Sequence, residues 1–126
     1  MAPYKNVITP INVEVITVVT DSSGNAATAS TNKVSGEIVK VVYDLGTITS
    51  APLVLSNYTA LTSTVRESID AFTLSASVYR YPSVGRTGAS AGDNKWIKPL
   101  VINDNLLVTV SSGTASKTFT VYVYYR

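Results

Sequence analysis

The sequence predicts a small all-β protein folded as a two-sheet β-sandwich, with jelly-roll and immunoglobulin-like connections both open. Three observations carry that expectation. Of 126 residues, 18 are Val, 8 Ile and 16 Thr, so one in three is β-branched. Such side chains fit a pleated surface and lose rotamer freedom in a helix. Short alternating stretches recur between turn-forming residues, as two packed antiparallel sheets require. The last quarter alternates most clearly, with Leu106, Val108 and Val110 on one face of 105–111 and Phe119, Val121, Val123 and Tyr125 on one face of 118–125.

Taken in order, residues 1–12 (MAPYKNVITPIN) read as an extended arm ahead of a single domain over 13–126. Pro3 and Pro10 bias the chain toward extended backbone, and Tyr4, Val7, Ile8 and Ile11 give the arm something to bury. Residues 13–20 (VEVITVVT) form the first strand, with aliphatics on both faces, which predicts cover on both sides for part of its length. DSSGN at 21–25 is a turn, and 26–32 is a short edge strand or a loop. Residues 37–44 (EIVKVVYD) form the second firm strand, and Leu53–Leu55 a short one that Pro52 places at a start or an edge. Residues 57–68 read as a loop, 69–81 as one alternating strand ended by Pro82, and 82–94 as a long exposed loop. The strands at 105–111 and 118–125, separated by a turn containing Gly113, read as a hairpin.

The composition excludes much chemistry. With no cysteine there is no disulfide, thiolate nucleophile or iron–sulfur cluster. With no histidine there is no zinc finger, Ser-His-Asp triad or switch near neutral pH. The eight acids are scattered, and Asp21, Asp44, Asp70, Asp93 and Asp104 fall beside turns, where accepting backbone N–H groups is their expected work. Asp93-Asn94 with Asn103–Asn105 offers oxygen ligands of the kind calcium takes, but without EF-hand spacing, so no metal or cofactor is expected. SGTASK at 112–117 lacks the glycine pattern of a phosphate loop. No enzymatic activity is expected.

A net charge of +2 does not by itself imply nucleic acid. The basic excess gathers at Arg80, Arg86, Lys95 and Lys98, read as a charged loop rim or as a patch for an acidic partner. No apolar run approaches the length that spans a bilayer, and the N-terminus has no signal-peptide pattern, so no membrane partner is expected. Tyrosine is the notable aromatic, at eight residues against two phenylalanines. Tyr79 and Tyr81 share one strand face and Tyr122 and Tyr124 another, which reads as packing beneath loops, as a subunit or partner interface, or as a stacking platform centred on Trp96.

Several short motifs resemble those of small virion structural proteins of tailed bacteriophages. They are Gly36 with a strand ending in Tyr43-Asp44-Leu45-Gly46, the strand end Tyr79-Arg80-Tyr81-Pro82, and Pro99-Leu100 before a hydrophilic turn. The ending follows the same pattern, with Leu106–Val110, a turn from Gly113 to Lys117-Thr118, and Val121–Tyr125. The resemblance covers about residues 34–126, with Phe119 where a glycine usually follows the Lys-Thr pair. It implies a non-enzymatic virion component, with decoration or stabilisation of the capsid as its role. The implied partners are the major capsid protein or another virion protein, and further copies of the chain in a homo-oligomer. The residues expected to make contacts are Tyr4, Val7, Ile8 and Ile11 of the arm, Tyr122 and Tyr124, and the loop residues Arg80 and Arg86. The alternative expectation is a host-surface or glycan-binding module of a tail or head fibre, centred on Trp96 and the 82–95 loop.

Overall fold

The computed structural model describes residues 10–58, 68–85 and 96–126. It is all-β, with strands β1 (Asn12–Val19), β2 (Ala26–Ala29), β3 (Val34–Asp44), β4 (Ala51–Tyr58), β5 (Ser68–Leu74), β6 (Val78–Arg80), β7 (Val84–Gly85), β8 (Trp96–Ile97), β9 (Leu100–Val110) and β10 (Thr118–Tyr125). Eight of them form one antiparallel sheet in the order β1-β10-β3-β9-β4-β5, with β2 also beside β9 and β6 beside β3, while β7 and β8 pair separately. The sheet folds over along β3. Val34, Gly36 and Glu37 pair with β9, whereas residues from Ile38 to Asp44 pair with β10. The result is a sandwich-type arrangement, with β1-β10-β3-β6 in one layer and β2-β9-β4-β5 in the other.

The inner faces of the two layers meet in a single core. Ile16 and Val18 of β1, Ile38, Val41 and Tyr43 of β3, and Phe119, Val121 and Val123 of β10 are buried from one side. Leu53 and Leu55 of β4, Ile69 and Leu74 of β5, and Val101, Leu106, Val108 and Val110 of β9 are buried from the other. The period-two alternation of the sequence is what delivers these residues to one side of each strand. Tyr43 meets Phe72 of the opposite layer edge to face, with ring centroids 4.7 Å apart.

Most connections change layers, and this corrects two sequence expectations. The strands over 105–111 and 118–125 do not pair with each other, because β9 lies in one layer and β10 in the other. The stretch 69–81 is not one strand either. It breaks at Ser75-Ala76-Ser77, so that β5 pairs with β4 and β6 with β3. Hydrogen bonds from other turns draw these connections across. Gly113 N donates to Gly24 O at 2.8 Å, Ser116 N to Asp21 O at 2.9 Å and Thr114 N to Ser50 O at 2.8 Å. The amide of Leu45 likewise donates to Ser77 Oγ at 2.9 Å. A third expectation also fails: among the described residues β1 is covered on one side, with Ile16 and Val18 buried and Val13, Val15 and Val19 exposed.

Two glycines set this geometry. Gly36 has a φ of +143° where β3 passes between layers, and a Cβ there would lie 2.6 Å from the Arg126 carbonyl oxygen. Gly24 has a φ of +78° and is packed so closely on Gly113 that a Cβ would collide with the latter's carbonyl. Beside it, Asp21 does what its position predicts. Its carboxylate accepts from the backbone N–H groups of Asn25 and Ser23, which hold its pKa below the usual value. Gly24→Ala is expected to cost roughly 2 kcal/mol or more of folding stability, read by chemical denaturation. An Ala substitution at exposed Ala-sized positions such as Ser22→Ala should change stability by less than about 0.5 kcal/mol.

Candidate functional site

Two features stand out, and both depend on β6. The first is the outer face of the β1-β10-β3-β6 layer. Strand register aligns Val15, Tyr122, Val42 and Tyr79 in one row across all four strands. A neighbouring row aligns Val13, Tyr124 and Lys40. Val15 is 47% exposed and Tyr79 61% exposed, while Tyr122 and Tyr124 are half-buried among their neighbours. The Lys40 ammonium lies 5.0 Å from the Tyr79 ring centroid and 5.9 Å from that of Tyr124, tying the two rows together by cation–π contacts. A shallow depression of about 380 Å³ opens here between Val42, Val78, Tyr79 and Tyr122.

The opposite layer presents a different surface. Its corresponding row is Ala27, Thr109, Val54 and Ala71, all small or of moderate size. The two rows are therefore unequal, one of valine and tyrosine, the other of small side chains with one valine, although Tyr58 of β4 and Leu100 and Ile102 of β9 are also exposed.

The second feature is an inter-layer ion pair at the edge of the sandwich. Asp70 points inward from β5 and its side chain is 8% exposed. Its Oδ2 accepts from Arg80 Nε at 2.8 Å and from the Tyr43 hydroxyl at 2.9 Å. Its Oδ1 accepts from Arg80 Nη2 at 3.1 Å and from the Ala71 amide at 3.0 Å. The Arg80 guanidinium also lies over the Phe72 ring, 4.2 Å from its centroid. Burial, reinforced by the adjacent Asp70 carboxylate and the hydrogen bond to it, pushes the Tyr43 hydroxyl far above the ordinary tyrosine range. Outside the pair lies a cavity of about 450 Å³ lined by Ile69, Asp70, Arg80, Pro82, Ser83 and the tyrosines 79 and 81.

This arrangement corrects the expectation for Asp70, which is no turn cap but half of a bidentate pair in mid-strand. Arg80, expected as part of a charged loop rim, lies in β6 and has two of its N–H groups committed to Asp70. Ile11 is exposed just before β1. Tyr4, Val7, Ile8 and Arg86 lie outside the described residues, and so do Asp93, Asn94 and Lys95. Trp96 enters as a backbone position of β8 paired with Gly85, and its ring lies outside the description. Among the described residues no group of three or more acidic, histidine or cysteine side chains could hold a metal ion. No helix among them is long and apolar enough to cross a membrane.

Sequence reasoning missed the Tyr43–Asp70–Arg80 cluster. The available signal was an acidic residue at an inward register position of a strand, since a buried carboxylate demands a partner. The exposed valines of β1 show in the sequence as imperfect alternation, which by itself predicts cover and not an exposed face. Compared with protein-family models, curated proteins and solved structures, the chain has no significant match to any of them.

Tyr43→Phe is expected to cost about 1–3 kcal/mol at neutral pH by removing a buried hydrogen bond to a charged group. Because the folded chain holds the Tyr43 proton more tightly than the unfolded chain, the linked stabilisation is full below about pH 10 and declines as pH rises beyond it. Denaturation of wild type and Tyr43→Phe across pH 8–11 should therefore show a shallower alkaline loss in the variant.

Proposed function

We propose that this chain is a jelly-roll interaction protein without enzymatic activity. Layers ordered β1-β10-β3-β6 and β2-β9-β4-β5, with the first strand beside the last, support a double Greek key. An immunoglobulin-like sandwich would keep its first two strands in one sheet, and here β1 and β2 lie in opposite layers.

More particularly, the chain is a structural component of a tailed-phage virion that decorates and stabilises the head, bound to the major capsid protein or another head protein. The motif resemblance over residues 34–126 and the recurrence of jelly rolls in viral coats support this reading, the second by analogy of fold alone. The observation that carries it is the row Val15–Tyr122–Val42–Tyr79. Tyrosine is enriched in protein interfaces, whose buried centres are more apolar and poorer in charge than the rest of the surface. In this reading the face meets the head surface, while the arm (Tyr4, Val7, Ile8, Ile11) and the outer edge of β1 meet neighbouring copies in a closed homo-oligomer.

The test is co-sedimentation of the purified chain with heads that lack it. Tyr122→Glu and Val15→Glu should each weaken binding about tenfold or more, because each leaves a charge at a desolvated interface. Thr73→Glu, on the outer face of the other layer, should bind as wild type. Retained binding by both face variants would place the contact elsewhere, and absence of the chain from purified particles would defeat the virion reading.

A further inference from the structure

The cavity beside β6 is separate in chemistry from the sheet face, and we infer that it is a binding site for an uncharged saccharide. The inference rests on which hydrogen-bonding groups are spent and which are left. Asp70 has nothing more to give, since its two oxygens already accept four hydrogen bonds, from Tyr43, Arg80 twice and Ala71. Arg80 is different. A guanidinium carries five N–H donors. Arg80 directs one from Nε and one from Nη2 to Asp70, and the remaining three are free of that carboxylate. Its side chain is 40% exposed and lines the cavity, which leaves donors not taken by Asp70 available to a molecule bound there.

The pair holds the donors still. Two hydrogen bonds to a buried carboxylate fix the plane of the guanidinium, and the Phe72 ring supports one of its faces. The pair also carries no net charge. A phosphate or carboxylate entering here would sit beside a buried carboxylate that already neutralises the arginine, and like-charge repulsion disfavours it. A hydroxyl or ring oxygen accepts the same hydrogen bonds without that penalty.

The remaining walls suit the same ligand. Tyr81, 67% exposed, stands edge to face with Tyr79, their ring centroids 5.9 Å apart. Such rings offer apolar surface to the C–H face of a pyranose and hydroxyls to its rim. Ser83 adds a further exposed hydroxyl. A cavity of about 450 Å³ is large enough for one or two sugar rings. The site thus combines the fixed donors of a net-neutral ion pair with an aromatic wall, and it shares Tyr79 with the end of the sheet-face row while Tyr81, Arg80 and Ser83 lie outside that row.

Saturation-transfer NMR on the full chain tests this with the methyl glycosides of glucose, galactose, mannose and N-acetylglucosamine, and with phosphate and acetate as competitors. At least one glycoside should bind with a dissociation constant on the order of millimolar, as expected for a small ligand with few contacts. Tyr81→Ala should weaken it about tenfold or more with an unchanged melting temperature, since that ring is exposed. Arg80→Lys should weaken it as well, because an ammonium keeps the charge but not the fork. Phosphate and acetate should not compete, and Tyr81→Ala should still bind heads, which separates this site from the docking face. Absence of transfer to every glycoside, glycoside binding indifferent to Tyr81→Ala, or binding of the anions in place of the glycosides would each overturn the inference.

Discussion

The position of β6 hangs on one carboxylate. This strand has three residues and, among the described strands, pairs with β3 alone, so its own ladder of hydrogen bonds is short. What pins it is Arg80, clamped by Asp70 of the opposite layer and braced on Phe72. Asp70 in turn is tolerable in the interior because every lone-pair direction is used and Tyr43 supplies a neutral donor from the facing sheet. A buried ion pair of this kind is weak evidence for extra stability, since desolvation offsets much of its attraction. Its consequence here is positional: the same clamp sets Tyr79 at the end of the exposed row and Tyr81 at the wall of the cavity.

Much of the fold was legible in the sequence. Alternation in 118–125 delivers Phe119, Val121 and Val123 to the core, and the alternation of Leu106, Val108 and Val110 does the same for β9. The pairing of strands was not legible, for a physical reason. Two alternating stretches joined by a short polar turn look like a hairpin whether they pair with each other or pass to opposite layers. The difference lies in long-range contacts such as Gly24 with Gly113 and Leu45 with Ser77, which leave no local trace. The same holds at Asp70, whose partner is ten residues away but in the other layer. Asp70 stands just after the stretch 57–68 that reads as a loop, so it reads as a cap, and nothing local marks its inward register opposite Leu55.

The exposed valines of β1 were legible as residues and not as surface. Glu14, Ile16 and Val18 turn inward while Val13, Val15 and Val19 turn outward, so apolar side chains fall on both sides of the strand. Inspection of β1 alone suggests burial on both faces. Register supplies what the strand lacks, because Val15 stands beside Tyr122, then Val42 and Tyr79. An apolar row that crosses a whole sheet is a contiguous patch, whereas single exposed hydrophobics need no explanation. The low charge of the chain shows in the same place: with 14% charged residues, the outer face of valine and tyrosine carries Lys40 between its two rows, over the rings of Tyr79 and Tyr124.

In the proposed function, this face is the contact by which the chain joins a larger particle. A density map of the intact virion tests it most directly. Copies of the chain are expected on the head, each with Val15, Tyr122, Val42 and Tyr79 turned against a neighbouring protein and out of solvent. A head map in which the chain is absent, or in which that row faces open solvent, would contradict it.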